Sequence, residues 1–109
     1  MVKKYKVRIT PKARQDLSQI VQYLRRSESN TVATNVKRGI MEAIGRLETY
    51  PESHEAFKEI STEQVVFRRM LKWEYKIVYT VDKEELVVLV VKIYHSHQRQ
   101  EGIIDELKS

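Results

Sequence analysis

The stretch from Phe67 to His95, FRRMLKWEYKIVYTVDKEELVVLVVKIYH, constrains this chain more than any other. Tyr75, Ile77, Tyr79 and Val81 recur at period 2, with Lys76, Val78 and Thr80 between them, which is the pattern of a strand with two distinct faces. Asp82-Lys83-Glu84-Glu85 then places four charges in a row and predicts a hairpin turn. Leu86–Val91 follows as an unbroken apolar run, suited to a strand covered on both faces in the middle of a sheet. Polar residues gather at the ends: Arg68, Arg69 and Lys72 on the first strand, and Lys92, Tyr94, His95 and His97 where the last one leaves the core. Any functional site is expected there.

The preceding half supplies the cover. Tyr5, Val7 and Ile9 alternate with Lys4, Lys6 and Arg8 as a short strand, and Thr10-Pro11 has the form of a helix N-cap followed by its first residue. Ala13, Leu17, Ile20, Val21 and Leu24 then mark one helical face, with Arg25 and Arg26 at its negative end. Ser29 or Asn30 caps a second helix with the stripe Ala33, Val36, Ile40, Ala43, Ile44 and Leu47, which stops before Pro51. Gly39 inside it calls for a close helix–helix or helix–sheet contact. The polar segment 51–63 reads as an exposed loop. The tail QRQEGIIDELKS can form a short last helix on Ile103, Ile104 and Leu107, with Gly102 awkward inside it. The order is β-α-α-β-β-β with an optional terminal α: an α+β fold whose small, mostly antiparallel sheet carries a helical hairpin on one face.

A chain of 109 residues makes one domain, spanning 1–109, with a single core. No cysteine is present, so disulfides and thiolate metal sites are excluded. The N-terminal segment lacks the apolar run of a signal peptide and no later run reaches membrane-spanning length, so the expected location is cytoplasmic. The net charge of +5 favours a polyanionic partner, nucleic acid or an acidic protein.

YKVRITPKARQDLSQIVQYL, a second helix, and then the Phe67–His95 stretch resemble the RelE/ParE superfamily of type II toxins. That resemblance implies a growth-inhibiting toxin, associated with plasmid stabilisation, that is held in a hetero-oligomer by a cognate acidic antitoxin. RelE-like members cleave mRNA on the ribosome, and ParE-like members poison DNA gyrase. Metal-independent RNA cleavage needs a base, an acid and cations around the phosphate. On the RelE-like pattern the catalytic candidates are His95 as acid, Arg68 and Arg69 on phosphate, Lys76 where that group has arginine, and Glu55 as the loop carboxylate. Lys72, Trp73, Lys92, Tyr94 and His97 are the RNA-binding candidates. No metal or other cofactor is implied.

Two departures keep the target open. Ser96 stands where a RelE-like nuclease has tyrosine, and His97-Gln98-Arg99 resembles the basic stretch of ParE-like members. Ribosome-dependent mRNA cleavage is the first reading, with a non-catalytic gyrase inhibitor as the alternative and an inactive antitoxin-binding homologue after both. Plainer roles stand beside these. Strand alternation sends Arg68 and Arg69 to opposite faces, so at most one lies beside His95. Trp73 is as well suited to packing over the sheet edge as to stacking on a base, and Tyr75 and Tyr79 suit the core.

Overall fold

The computed structural model describes residues 4–108; Met1–Lys3, which begin the segment read above as lacking a leader, and the terminal Ser109 lie outside the described residues. Strand β1 (Lys6–Ile9) passes through Thr10 into helix α1 (Pro11–Ser27), and a two-residue link leads to α2 (Asn30–Gly45). Both helices start on a side-chain cap. Thr10 Oγ1 accepts the Ala13 N–H and Ser29 Oγ accepts the Val32 N–H, each at 3.1 Å, and such caps contribute about 1 kcal/mol apiece. Strands β2 (Phe67–Lys72), β3 (Tyr75–Asp82) and β4 (Val87–His95) follow, and α3 (Gln100–Lys108) ends the chain. The sheet order is β1-β4-β3-β2, with β1 parallel to β4 and the other pairs antiparallel. The apolar run therefore occupies an interior strand, as its composition requires.

Two details of that strand differ from the sequence reading. Asp82 Oδ1 accepts the N–H groups of Glu84 and Glu85, both at 3.0 Å, which closes the turn on itself. Leu86 is left at a φ of 55° and the strand begins at Val87. At the other end β4 continues to His95. Tyr79 pairs with Val90 but Val78 pairs with Lys92, so Val91 is the extra residue of a bulge. The bulge puts Ile93, rather than Lys92, on the face that carries Val88 and Val90. A regular strand would have aimed the lysine into the helices.

The sheet has two cores. Val88, Val90, Ile93, Tyr75, Ile77 and Tyr79 pack against Ala13, Leu17, Val21 and Leu24 of α1 and against Ile40, Ala43 and Ile44 of α2. On the far face Val78 and Tyr94 meet Phe57, Ile60 and Ile103. The segment 51–63 is thus not the wholly exposed loop its polarity suggests. Phe57 is fully buried and Ile60 nearly so, because α1 and α2 cover one face only and the other needs a lid. The segment also shields the outer edge of β2: Phe57 N–H donates to Phe67 O at 2.7 Å and Arg69 N–H to Glu55 O at 3.0 Å. Among the described residues no helix is long and apolar enough to cross a membrane.

Gly39 is explained by Trp73. The β2–β3 turn holds Trp73 at a φ of 52°, a conformation a bulky residue keeps only when its surroundings enforce it. Its indole ring lies on Gly39, where an added Cβ would overlap the ring. Gly39→Ala gains about 1 kcal/mol of helix propensity but must expel the ring, and overpacking costs about 1–3 kcal/mol. The emission of this single tryptophan should therefore shift to the red in Gly39→Ala, with no gain in stability. Gly102→Ala, which meets no neighbouring atom within 4 Å, should stabilise by about 0.5–1 kcal/mol. Unchanged emission in Gly39→Ala would refute the contact.

Candidate functional site

Strand pairing distributes the polar residues over two faces. Lys72, Arg68 and His95 are in register with Tyr75, Tyr79 and Tyr75 respectively, on the helix side. Arg69 is in register with Val78, and Lys76 with Leu71 and Tyr94, on the far side. Arg68 and Arg69 therefore diverge as the alternation predicts, yet neither reaches His95. Arg69 is on the wrong face. Arg68 shares the face but is offset by four positions of β3, roughly 13 Å at the rise of a strand. It is also engaged, donating to the His54 carbonyl at 2.8 Å and lying 3.8 Å from Glu52. With Tyr79, whose hydroxyl donates to the Pro51 carbonyl, it pins the 51–54 segment to the sheet. Burial first, and then Glu52, push the Tyr79 phenol well above its usual range despite the opposing charge of Arg68.

The far face holds Arg69, Lys76, Lys92 and Tyr94 with Glu55. Arg69 pairs with Glu55 at 3.1 Å and lies 4.3 Å over the Phe57 ring. Burial works against its charge, but the neighbouring Tyr94 hydroxyl and Glu55 outweigh that and raise its pKa. The Tyr94 hydroxyl itself is buried without a hydrogen bond of full geometry among the described residues. Lys76 makes no ion pair among the described residues.

Lys92 is nearly as buried as Asp16 of α1, to which it donates at 3.0 Å, and it lies 2.8 Å from Glu106 of α3. Desolvation lowers its pKa, yet the bonds to Glu106 and Asp16 prevail and raise it. The same contact with Lys92, opposed by burial and helped by Lys12 at 3.3 Å, holds the Glu106 carboxyl below its usual range. The second Asp16 oxygen accepts the Ile93 N–H at 3.1 Å. A lysine so committed ties α1, β4 and α3 together. Glu74 and Glu106 escaped the sequence reading, and Asp16 entered it only as part of the family motif. Asp16 alone carried a signal, since an acid three residues after Ala13 and four before Ile20 falls on the inward stripe of α1.

His95 closes the opposite end. It packs edge-on against Tyr75 at 5.3 Å and against His97 at 4.6 Å between ring centroids. Nδ1 accepts the His97 backbone N–H at 3.0 Å, and Nε2 lies 3.2 Å from Glu74 Oε2. The first contact leaves Nδ1 unprotonated in the neutral ring, so Nε2 carries the proton toward Glu74. Both nitrogens are taken. Lys72 lies 4.4 Å over the Trp73 ring, and Trp73 stays about half exposed while the end of its ring meets Gly39. Beside His95, a groove of about 680 Å³ runs between the second half of α1 and the ends of β3 and β4. Among the described residues no group of three His, Asp or Glu side chains is arranged to hold a metal.

The family model described as "ParE toxin of type II toxin-antitoxin system, parDE" matches residues 7–100, which run from β1 to the start of α3. The chain belongs to the ParE toxin family. Its fold is that of other ParE and RelE proteins. It is similar to a chain of the chromosomal ParDE system of P. aeruginosa, with 16% identity and a TM-score of 0.66 over 84% of this chain and 96% of that one. It is also similar to a chain of the archaeal RelE–RelB complex of Pyrococcus horikoshii, with 19% identity and a TM-score of 0.58 over 88% and 99% of the two chains. A third likeness is to a chain of the RelBE2 complex of Mycobacterium tuberculosis, at 21% identity and a TM-score of 0.53, covering 84% and 91%. No curated protein matches significantly.

The hydrogen bonding of His95 in this ParE-family chain can be read directly. Ring ¹⁵N spectra of the neutral form should show the proton on Nε2. A proton on Nδ1 would contradict the contact with the His97 N–H.

Proposed function

We propose that this ParE-family toxin acts by binding rather than by cleavage, as a non-catalytic inhibitor of DNA gyrase restrained by an acidic antitoxin. One observation carries the reading: His95, the acid of the RelE-like pattern, is not assembled with the phosphate-binding arginines. Cleavage requires an acid and phosphate-binding cations within hydrogen-bond reach of the same few atoms. Here the imidazole of His95 is on one face, Arg69 and Glu55 are on the other, and Arg68 is held under the 51–54 segment. Bringing them together would mean moving residues across a paired sheet. The helical hairpin and the match to the ParE family model support the same reading. The antitoxin follows from the +5 charge of the chain, because acidic residues on a partner would speed encounter and fix register. The neighbouring folds come from ParDE, RelE–RelB and RelBE2 systems.

Controlled induction in cells, following labelled thymidine and amino acid incorporation, tests this. DNA synthesis should fall first, with an SOS response, and purified protein should trap gyrase on broken DNA. Cleavage of translated mRNA by the purified chain, seen by primer extension, with protein synthesis failing before DNA synthesis, would reverse the assignment.

A further inference from the structure

The groove beside His95 runs against the charge of the molecule. The chain carries +5 overall, yet the charges in this groove that lack a lysine or arginine partner are carboxylates. Asp16 and Lys92 line it but neutralise each other. Glu74 engages only the ring of His95, and Glu28 makes no ion pair among the described residues. The end of α1 adds to the negative potential, because Leu24, Ser27 and Glu28 line the groove at the negative pole of the helix.

The second observation is Tyr75. Only 8% of it is exposed and it lines the groove. Its hydroxyl has no protein hydrogen-bond partner among the described residues and is not itself a buried atom, so it opens to the groove. Burial, the carboxylate of Glu74 and the phenol of Tyr23 all raise its pKa. The ring of Tyr75 stands edge-on to that of His95 at 5.3 Å, and Tyr23 is largely exposed on the opposite wall. Aromatic walls, a free phenol oxygen and two carboxylates form a receptor for an organic cation.

We infer that this groove receives a single arginine side chain presented by a protein partner. Arginine fits better than lysine, for three reasons of shape. A planar guanidinium lies flat on tyrosine and imidazole rings, it pairs with a carboxylate through two parallel N–H groups, and it gives up its water more readily than an ammonium. Glu74 offers the carboxylate and Tyr75 the additional acceptor. The volume of about 680 Å³ accommodates one such side chain with an apolar neighbour against Ile20 and Leu24. This site stands independently of whether the target is gyrase or the ribosome, because it concerns the groove alone.

The test is a ¹H–¹⁵N titration of the full chain with N-acetyl-arginine methylamide and, separately, with its citrulline counterpart, which has nearly the same shape and no charge. Arginine should give saturable shifts centred on Glu74, Tyr75, Ile93 and His95, and citrulline should bind at least about tenfold more weakly. Glu74→Gln keeps an acceptor for His95, so it should fold as the parent does while weakening the arginine complex about fivefold. Glu84→Gln on the β3–β4 turn should leave the complex unchanged. Equal binding of citrulline, undiminished affinity in Glu74→Gln, or shifts scattered over all surface carboxylates would overturn the assignment.

Discussion

The structure depends on how one strand outruns its neighbour. β1 has four residues and ends at Ile9, opposite Val90, whereas β4 runs on to His95. From Lys92 onward the outer edge of an interior strand has no strand to pair with, under a layer of helix. Asp16 fills that place. One oxygen takes the Ile93 N–H and the other the Lys92 ammonium, so a single side chain of α1 closes the ladder and fixes the helix on the sheet. Burying such a pair costs several kcal/mol in desolvation, which its hydrogen bonds must offset. Removing Lys92 would leave the Asp16 carboxylate buried with only the Ile93 N–H, at about 3–5 kcal/mol, whereas Lys92 without Asp16 keeps Glu106. The bulge at Val91 belongs to the same arrangement, because it turns Lys92 out of the helix-side core toward Asp16 and Glu106.

This constraint decides which basic residues remain available for function. Lys92 is bound by two carboxylates and Arg68 by the 51–54 segment, while Arg69 is bound by Glu55 and the Phe57 ring. Each of these cations, which the RelE-like resemblance assigns to phosphate or RNA, also makes a structural contact. What stays accessible is a surface: the walls of the helical hairpin, the exposed side of Trp73, and the groove beside His95.

Elements whose pattern is local were legible in the sequence. The Thr10 cap, the two helical stripes, the alternation through Tyr75–Val81 and the terminal helix on Ile103 all follow from spacing and propensity. The demand of Gly39 for a close contact was legible too, although its partner, Trp73, lies 34 residues along the chain and could not be named. Long-range geometry stayed hidden. Alternation separates Arg68 from Arg69, but only the register of β2 against β3 shows that Arg68 stops four positions short of His95. Phe57 and Ile60 were lost in a polar segment because the need to cover the far face is visible only once both helices lie on the near one. The role of Asp16 could not be read from its place on the inward stripe of α1, because the open edge it serves is created by the difference in length between β1 and β4, which are far apart in sequence.

Hydrogen exchange at the Ile93 amide tests this account most directly. In the native chain that amide should exchange as slowly as the interior amides of β3. In Asp16→Ala it should quicken by about tenfold to a hundredfold relative to them, the range expected when a buried N–H loses its acceptor. An Ile93 amide that exchanges rapidly in the native chain, or stays equally protected without Asp16, would contradict the claim that this carboxylate completes the sheet.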